Sequence, residues 1–251
     1  MRLNRVYVDA PLERGGRVTL ADSAASHVTR VLRLRTGTAL TLFNGRGGEY
    51  AGSIVLTRSG EVTVAVGDHR SEERESPLAL TLAQGISRGE RMDFVVQKAT
   101  ELGVKQLVPI LTERSVVRLD AQQTLRKLNH WHAIAIASCE QSGRNRLPEV
   151  LAPATLGGFL RESARDAEDG RSAATLRLLL SPGAAAALGD VPRPAGAVTV
   201  LIGPEGGLAD GEQEAALAAG FIAVRLGPRV LRTETAAIVA LALLQRQFGD
   251  L

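Results

Sequence analysis

VTVLIGPEGGLADG, residues 198–211, and AVRLGPRVLRTETAA, residues 223–237, are built alike. Each starts as an apolar run, breaks at a glycine-rich turn and continues into a helix-like stretch, which predicts two strand–turn–helix units. Turns of this kind line the carboxyl edge of a parallel sheet, where backbone N–H groups and short side chains converge on small ligands. Their chemistry limits the ligand. Neither turn carries the G-x-x-x-x-G-K-[ST] or G-x-G-x-x-G spacing that cradles phosphates, and neither does AQGISRG at residues 83–89. Glu205 sits inside the first turn, where its charge repels a phosphate approaching a helix N-terminus, so hydroxyls or a positive charge suit the site better. The second turn puts Arg229, Arg232 and Glu234 just ahead of a helix that Thr233 is placed to cap. Local sequence leaves two readings open: Thr233 and Glu234 complement the helix N-terminus with the arginines solvated, or the group acts on a ligand.

Working outward, strands and helices alternate from residue 78. LALTLAQG is followed by RGERMDFVVQKATELG, whose Phe94, Val95, Lys98 and Leu102 fall at helical spacing and whose Gly103 stops it. VKQLVPI, a long helix from about Asp120 to Gln141, a helix around Thr155–Asp166 and the strand TLRLLLSP then lead to the two units above. This rhythm predicts an α/β domain over residues 77–251, with a mainly parallel sheet covered on both faces. Upstream, RVYVDA, RVTLA, TALTLFN, EYAGSIVLTR and EVTVAV are short alternating runs, with NGRGGE as a hairpin signal and DSAASHVTRVLRLR as one helix candidate. They predict a small β-barrel or sandwich over residues 1–70. SEERES, residues 71–76, reads as a charged linker.

With 251 residues, 45% of them hydrophobic, the chain has enough apolar material for a substantial core. The longest wholly apolar run, AAIVALALL at 236–244, is too short to cross a bilayer, and MRLNRVYVDA lacks the apolar stretch of a signal peptide. A cytoplasmic protein is expected. Cys139 is the only cysteine, which excludes an internal disulfide and a cysteine-based metal site; packing within a helix is its expected role, and core or interface packing that of Trp131. His130 and His132 fall on different helix faces while His27 and His69 stand alone, so no metal is expected. Of 30 basic residues only Lys98, Lys105 and Lys127 are lysines, a bias that reflects either genomic base composition or the fit of arginine's planar fork to phosphate groups. Between Ser23 and Gly48 stand Arg30, Arg33, Arg35 and Arg46 with no carboxylate, either an electrostatic footprint for RNA or DNA or a solvated basic face. Aromatics at 3% argue against a base-stacking platform.

QKATELGV (97–104), TERS (112–115), EQSGR (140–144), LIGPEGG (201–207) and LGPRVLRTETA (226–236) together resemble the bacterial ribosomal RNA uridine-N3 methyltransferase family, RsmE, of the SPOUT or trefoil-knot class. HVTRVLRLRTGTALTLFNGRGGEYAGSI, residues 27–54, resembles that family's PUA-like barrel. Any one string is weak evidence; five in family order are specific. The resemblance implies a C-terminal domain whose final segment threads an earlier loop, one of the rare true knots. It further implies S-adenosylmethionine held between the ends of LLLSP, LIGPEGG and LGPRVLR. Cofactor contact is carried onto Leu180, Ser181, Gly203, Leu226, Gly227, Arg229 and Leu231, with Glu205 as a further candidate.

The implied reaction is methylation of N3 of a uridine in 16S ribosomal RNA. That nitrogen becomes a good nucleophile only when its proton leaves and the resulting charge is stabilised. Arg232 is assigned to the charge, and Glu234 either to the proton or to the orientation of Arg232. The uridine must be unpaired or flipped out to be reached. Arg30, Arg33, Arg35, Arg46, Arg114, Arg144 and Arg146 are the candidate RNA contacts. The final helix, TAAIVALALLQRQF, is apolar on all sides, and family members pair through it, so a homodimer is expected. Competing readings are a knotted methyltransferase acting on transfer RNA or a ribose hydroxyl, an inactive RNA-binding assembly module, and an unrelated α/β hydrolase or reductase. The last lacks a G-x-S-x-G elbow and a dinucleotide fingerprint.

Overall fold

The computed structural model describes residues 4–58, 60–115, 120–168 and 175–251. The chain divides into two compact units, Met1–Glu75 with Ile136–Leu147, and Ser76–Ala135 with Pro148–Leu251.

In the first unit, β1 (Arg5–Tyr7), β2 (Arg17–Ala21), β3 (Ala39–Phe43), β4 (Glu49–Arg58) and β5 (Glu61–Arg70) form a half-barrel in the order β1-β3-β4-β5-β2. Its pairs are antiparallel except β1 with β3. Side chains alternate across a strand, so Val62, Val64 and Val66 of β5 face inward together with Leu40 and Leu42 of β3 and close a core with Val6, Leu20 and Ile54. The expected helix after β2 is shorter than its sequence pattern. α1 (Asp22–Ser26) passes into a π-helical turn at His27–Val31, and Arg33 has φ +55°. Ala25 and Val28 are buried, whereas Arg30 and Val31 are exposed.

The run at 71–76 is more than a solvated linker. Glu73 accepts the Gly48 N–H at 2.8 Å, the Glu72 carbonyl accepts the Asn145 amide at 2.6 Å, and Glu75 takes the fork of Arg144. Arg5, 2% exposed, pairs with Glu49 at 2.5 Å and donates to the Asn145 side-chain oxygen.

In the second unit, the long strands are β6 (Leu80–Gly85), β7 (Gln106–Leu111), β10 (Leu176–Leu180), β12 (Val198–Ile202) and β13 (Ile222–Arg225). Three two-residue strands, β8 (Glu149–Val150), β9 (Ala154–Thr155) and β11 (Ala186–Ala187), extend the sheet. Among the described residues the order is β11-β13-β10-β12-β6-β7-β8, with β9 also on β7, and every pair is parallel. The helices are α2 (Glu90–Glu101), α3 (Ala121–Ser142), α4 (Leu156–Glu168), α5 (Asp210–Ala218) and α6 (Thr233–Phe248).

Period-two burial assigns the two faces of this sheet. Leu80, Leu82, Val198 and Val200 face α2 and α6, while Ala83, Leu179 and Leu201 face Phe159 and Leu160 of α4 and Ala216 of α5. α6 buries the stripe Ala237, Ala240, Leu241 and Leu244. Gln245 continues that stripe. Its amide donates to the Leu102 carbonyl at 2.7 Å and its oxygen accepts from Ser76 at 2.6 Å, so the last helix is latched to the end of α2. Trp131 is fully buried and its indole N–H donates to Asp93 at 3.2 Å, joining α3 to α2. Among the described residues no helix is long and apolar enough to cross a membrane.

Candidate active site

β13, β10 and β12 are neighbours in the sheet, so the segments that leave them lie side by side at its carboxyl edge. They enclose a cavity of 590 Å³, within the range of roughly 300–1,000 Å³ that takes a small organic ligand. Leu180, Ser181 and Pro182 line it from the end of β10, and Gly203 and Glu205 from the turn after β12. Leu226, Gly227, Arg229 and Leu231 line it from the turn after β13, and Arg232 and Glu234 from the start of α6. One cavity wall therefore gathers all the residues singled out for cofactor contact and chemistry.

The turn after β12 is folded tightly on itself. A Cβ at Gly203 would stand 2.9 Å from the backbone of Gly207 and Leu208. A Cβ at Gly85, the last residue of β6, would overlap Pro204, so the neighbouring strand presses on the same turn. Thr233 does not cap α6. The N-cap is Arg232, extended at φ −62° and ψ 149° without a side-chain cap bond, and the helix thus begins one residue too early for Thr233 to reach its free N–H groups. The Thr233 hydroxyl points inward instead, donating to the Gly203 carbonyl at 2.7 Å and accepting from the buried Gln84 amide at 2.9 Å.

The charged groups divide into held and free. The side chains of Arg229 and Arg232 are exposed and make no hydrogen bond or ion pair among the described residues, while the Arg232 carbonyl accepts the Ala236 N–H at 2.8 Å. Glu234 is largely buried, with Oε2 lacking a hydrogen-bond partner and Oε1 3.9 Å from Arg91 Nε. Glu205 is already engaged: its Oε1 accepts the Arg88 N–H at 3.0 Å and Arg91 Nη1 at 2.8 Å. Partial burial tends to raise its pKa, but the hydrogen bonds from its own N–H, from Arg88 and from Arg91, with the Arg91 charge, outweigh that and hold it below the ordinary carboxylate value. Arg91 was not among the expected site residues. The signal for it lay in the alternation itself, because the first turn of α2 directly follows β6 and so falls on the same sheet edge as the two quoted turns.

Chemically, the cavity offers strand-end backbone, leucine walls, an orphaned carboxylate oxygen and exposed guanidinium charge. An orphaned acceptor fits hydroxyl donors or a positive centre, and the wall carries no lysine. That is the donor set suited to an uncharged adenosine with ribose hydroxyls and a sulfonium. Among the described residues no group of three His, Cys, Asp or Glu side chains is placed to hold a metal.

The expected RNA contacts do not share one environment. Arg30, Arg33 and Arg35 are exposed on and after the π-helical turn, and Arg46 is exposed and bridged to Arg146 through the backbone. Arg114 is exposed and donates to the Gly206 carbonyl at 3.3 Å, at the rim of the cavity turn. Arg144 is a correction: it is 3% exposed, and Nε and Nη2 fork onto Glu75 at 3.0 and 2.6 Å, so its charge is consumed inside its own unit. Cys139 is buried in α3, which pushes its thiol up to about 12.

A family model for an RNA methyltransferase domain matches residues 74–245, and one for an RNA methyltransferase PUA domain matches residues 20–66. The chain is 32% identical to the ribosomal RNA small subunit methyltransferase E of Buchnera aphidicola subsp. Schizaphis graminum, covering 100% of this chain and 98% of that one. It is 36% identical to the protein of the same name from Synechocystis sp., over 90% of this chain and 71% of the relative. Among solved structures it is similar to a Legionella pneumophila protein in complex with the bound cofactor SAM, with TM-score 0.93, 42% identity and 100% coverage of both chains. It is also similar to a ribosomal RNA small subunit methyltransferase E from Neisseria gonorrhoeae bound to S-adenosyl methionine, with TM-score 0.87, 38% identity and 99% coverage of both.

Proposed function

The chain belongs to the ribosomal RNA small subunit methyltransferase E family, methyltransferases that join a trefoil-knotted SPOUT domain to a PUA-like barrel, and from that premise we propose that it methylates N3 of a uridine in 16S ribosomal RNA. The observation that carries this reading is the pairing, on one cavity, of an unengaged guanidinium, Arg232, with a buried carboxylate oxygen that has no partner, Glu234 Oε2. Residues 1–70 act as the RNA-binding barrel and residues 77–251 as the methyltransferase domain, working in the cytoplasm.

S-adenosylmethionine, when bound, supplies an electrophilic methyl group on a sulfonium sulfur. Leu180, Ser181, Gly203, Leu226, Gly227, Arg229 and Leu231 hold it, mainly through backbone groups and apolar walls. Glu234 Oε2 takes the N3 proton, and Arg232 reaches the uracil carbonyls, over which the charge of the deprotonated base spreads. The leucine walls exclude water from the deprotonated base, whose charge is lost when N3 takes the methyl group. Arg30, Arg33, Arg35, Arg46, Arg114 and Arg146 engage phosphates, which makes binding salt-dependent.

A homodimer paired through α6 completes the assembly. The helix leaves Leu243 44% exposed beside a half-buried Ala242, an apolar face that a second copy would cover. Methyl transfer from labelled S-adenosylmethionine to unmodified small subunits, run beside Arg232→Ala, tests the reading. Transfer by wild type, with at least about a hundredfold loss in the variant at near-unchanged cofactor affinity, is the expected result. An unaffected variant would make Arg232 a bystander, and a chain that binds no S-adenosylmethionine in calorimetry would be an inactive RNA-binding module.

A further inference from the structure

Arg91 occupies the first turn of α2, where a cation opposes the helix dipole and gains nothing from the helix itself. Its surroundings explain its placement better than its helix does. Nη1 is 2.8 Å from Glu205 Oε1, and Nε is 3.9 Å from Glu234 Oε1, so one guanidinium stands between a carboxylate of the turn after β12 and one at the start of α6. The Glu205 end of this chain is fixed, since the same Oε1 also accepts the Arg88 N–H at 3.0 Å and the carboxyl is held in its charged form. The Glu234 end is looser: the separation exceeds a hydrogen bond, and Oε2 has no partner among the described residues.

We propose that Arg91 is a positioning residue of this site, anchored by Glu205 and orienting Glu234 so that Oε2 faces the reacting base. The inference rests on the function proposed above. It recasts Glu205, which belongs to the anchor and not to the cofactor's contacts. A planar fork suits the task because separate N–H groups address the two carboxylates at once, whereas an ammonium is a single point charge.

The test is a set of three variants, Arg91→Ala, Arg91→Lys and Glu205→Gln, with the Arg91→Ala/Glu205→Gln double. Each is measured for S-adenosylmethionine Kd by calorimetry and for kcat and KM with unmodified small subunits. Arg91→Ala should lower kcat at least tenfold while Kd and KM stay within about threefold, the pattern of a group acting only on the reacting step. Arg91→Lys should restore part of kcat. Glu205→Gln should lower kcat less, and the double variant should be no worse than Arg91→Ala alone, because both act through one chain. Wild-type kcat in Arg91→Ala, additive losses in the double, or a loss confined to Kd would each overturn the assignment. Retained cofactor binding excludes misfolding as the cause. A wild-type chain that binds S-adenosylmethionine but methylates a position other than uridine N3 would overturn the underlying reading, separately from the behaviour of these variants.

Discussion

The hydroxyl of Thr233 and the carbonyl of Gly203 are joined by a 2.7 Å hydrogen bond that ties the first residue of the last helix to the turn after β12. The same hydroxyl accepts from Gln84 Nε2, so β6, β12 and α6 meet at one oxygen. Thr233→Val keeps the shape and removes that oxygen. Loss of about 1–3 kcal/mol is expected from the polar groups left behind, read from the denaturant midpoint, with weaker S-adenosylmethionine binding. Thr233→Ser should restore both. Unchanged stability in Thr233→Val would mean the contact is incidental.

Gly227 and Gly203 serve the same cavity for different reasons. Gly227 has φ +132° with nothing within 4 Å of a would-be Cβ, so its constraint is conformational. Gly203 is constrained by space, its Cβ position facing the backbone of Gly207 and Leu208. Gly227→Ala should therefore cost about 1–3 kcal/mol of backbone strain or shift the turn, and either outcome weakens cofactor binding. Wild-type stability and affinity in Gly227→Ala would refute the strain argument.

Arg5 and Glu49 form a buried pair whose side chains are 1% and 7% exposed. Arg5→Ala leaves the Glu49 carboxylate with only the longer 3.7 Å contact to Arg74 and should cost about 3–5 kcal/mol. Replacing both members, Arg5→Met with Glu49→Leu, should cost less than Arg5→Ala alone, because no charge is left unpaired. Chemical denaturation of the three proteins checks the order, and a double variant weaker than Arg5→Ala would contradict it.

These cases mark what the amino-acid sequence made legible. LIGPEGG and LGPRVLRTETA announced themselves as strand-end turns because glycine and apolar runs are local signals, and the sheet order then brought their residues together. The role of Thr233 stays open in the sequence because the exact start of a helix depends on tertiary partners, here Gln84, which lies 149 positions away. Arg144 looked like a surface charge for the same reason, since nothing local reveals that Glu75 is folded against it. The π-helical turn at His27–Val31 was invisible to a 3.6-residue period. β8, β9 and β11, at two residues each, are too short to show any period at all.

Cys139 should be chemically quiet. Burial raises its thiol to about 12, so the thiolate, the reactive form, is scarce until the pH approaches that value. Because the folded state favours the protonated thiol, this group's contribution to stability declines as pH rises above the ordinary thiol range. Alkylation of the native protein near pH 8 should proceed only at the rate of unfolding, and adding denaturant should release it. Rapid stoichiometric labelling of the folded chain would contradict the burial argument.

The most direct measurement of the central claim is nucleoside mass spectrometry on small-subunit RNA after incubation with the protein and S-adenosylmethionine bearing a labelled methyl group. Labelled 3-methyluridine is expected at one position, and is expected to be absent when Arg232→Ala replaces the wild type. Label on a ribose hydroxyl, on a base other than uracil, or on transfer RNA alone would contradict it.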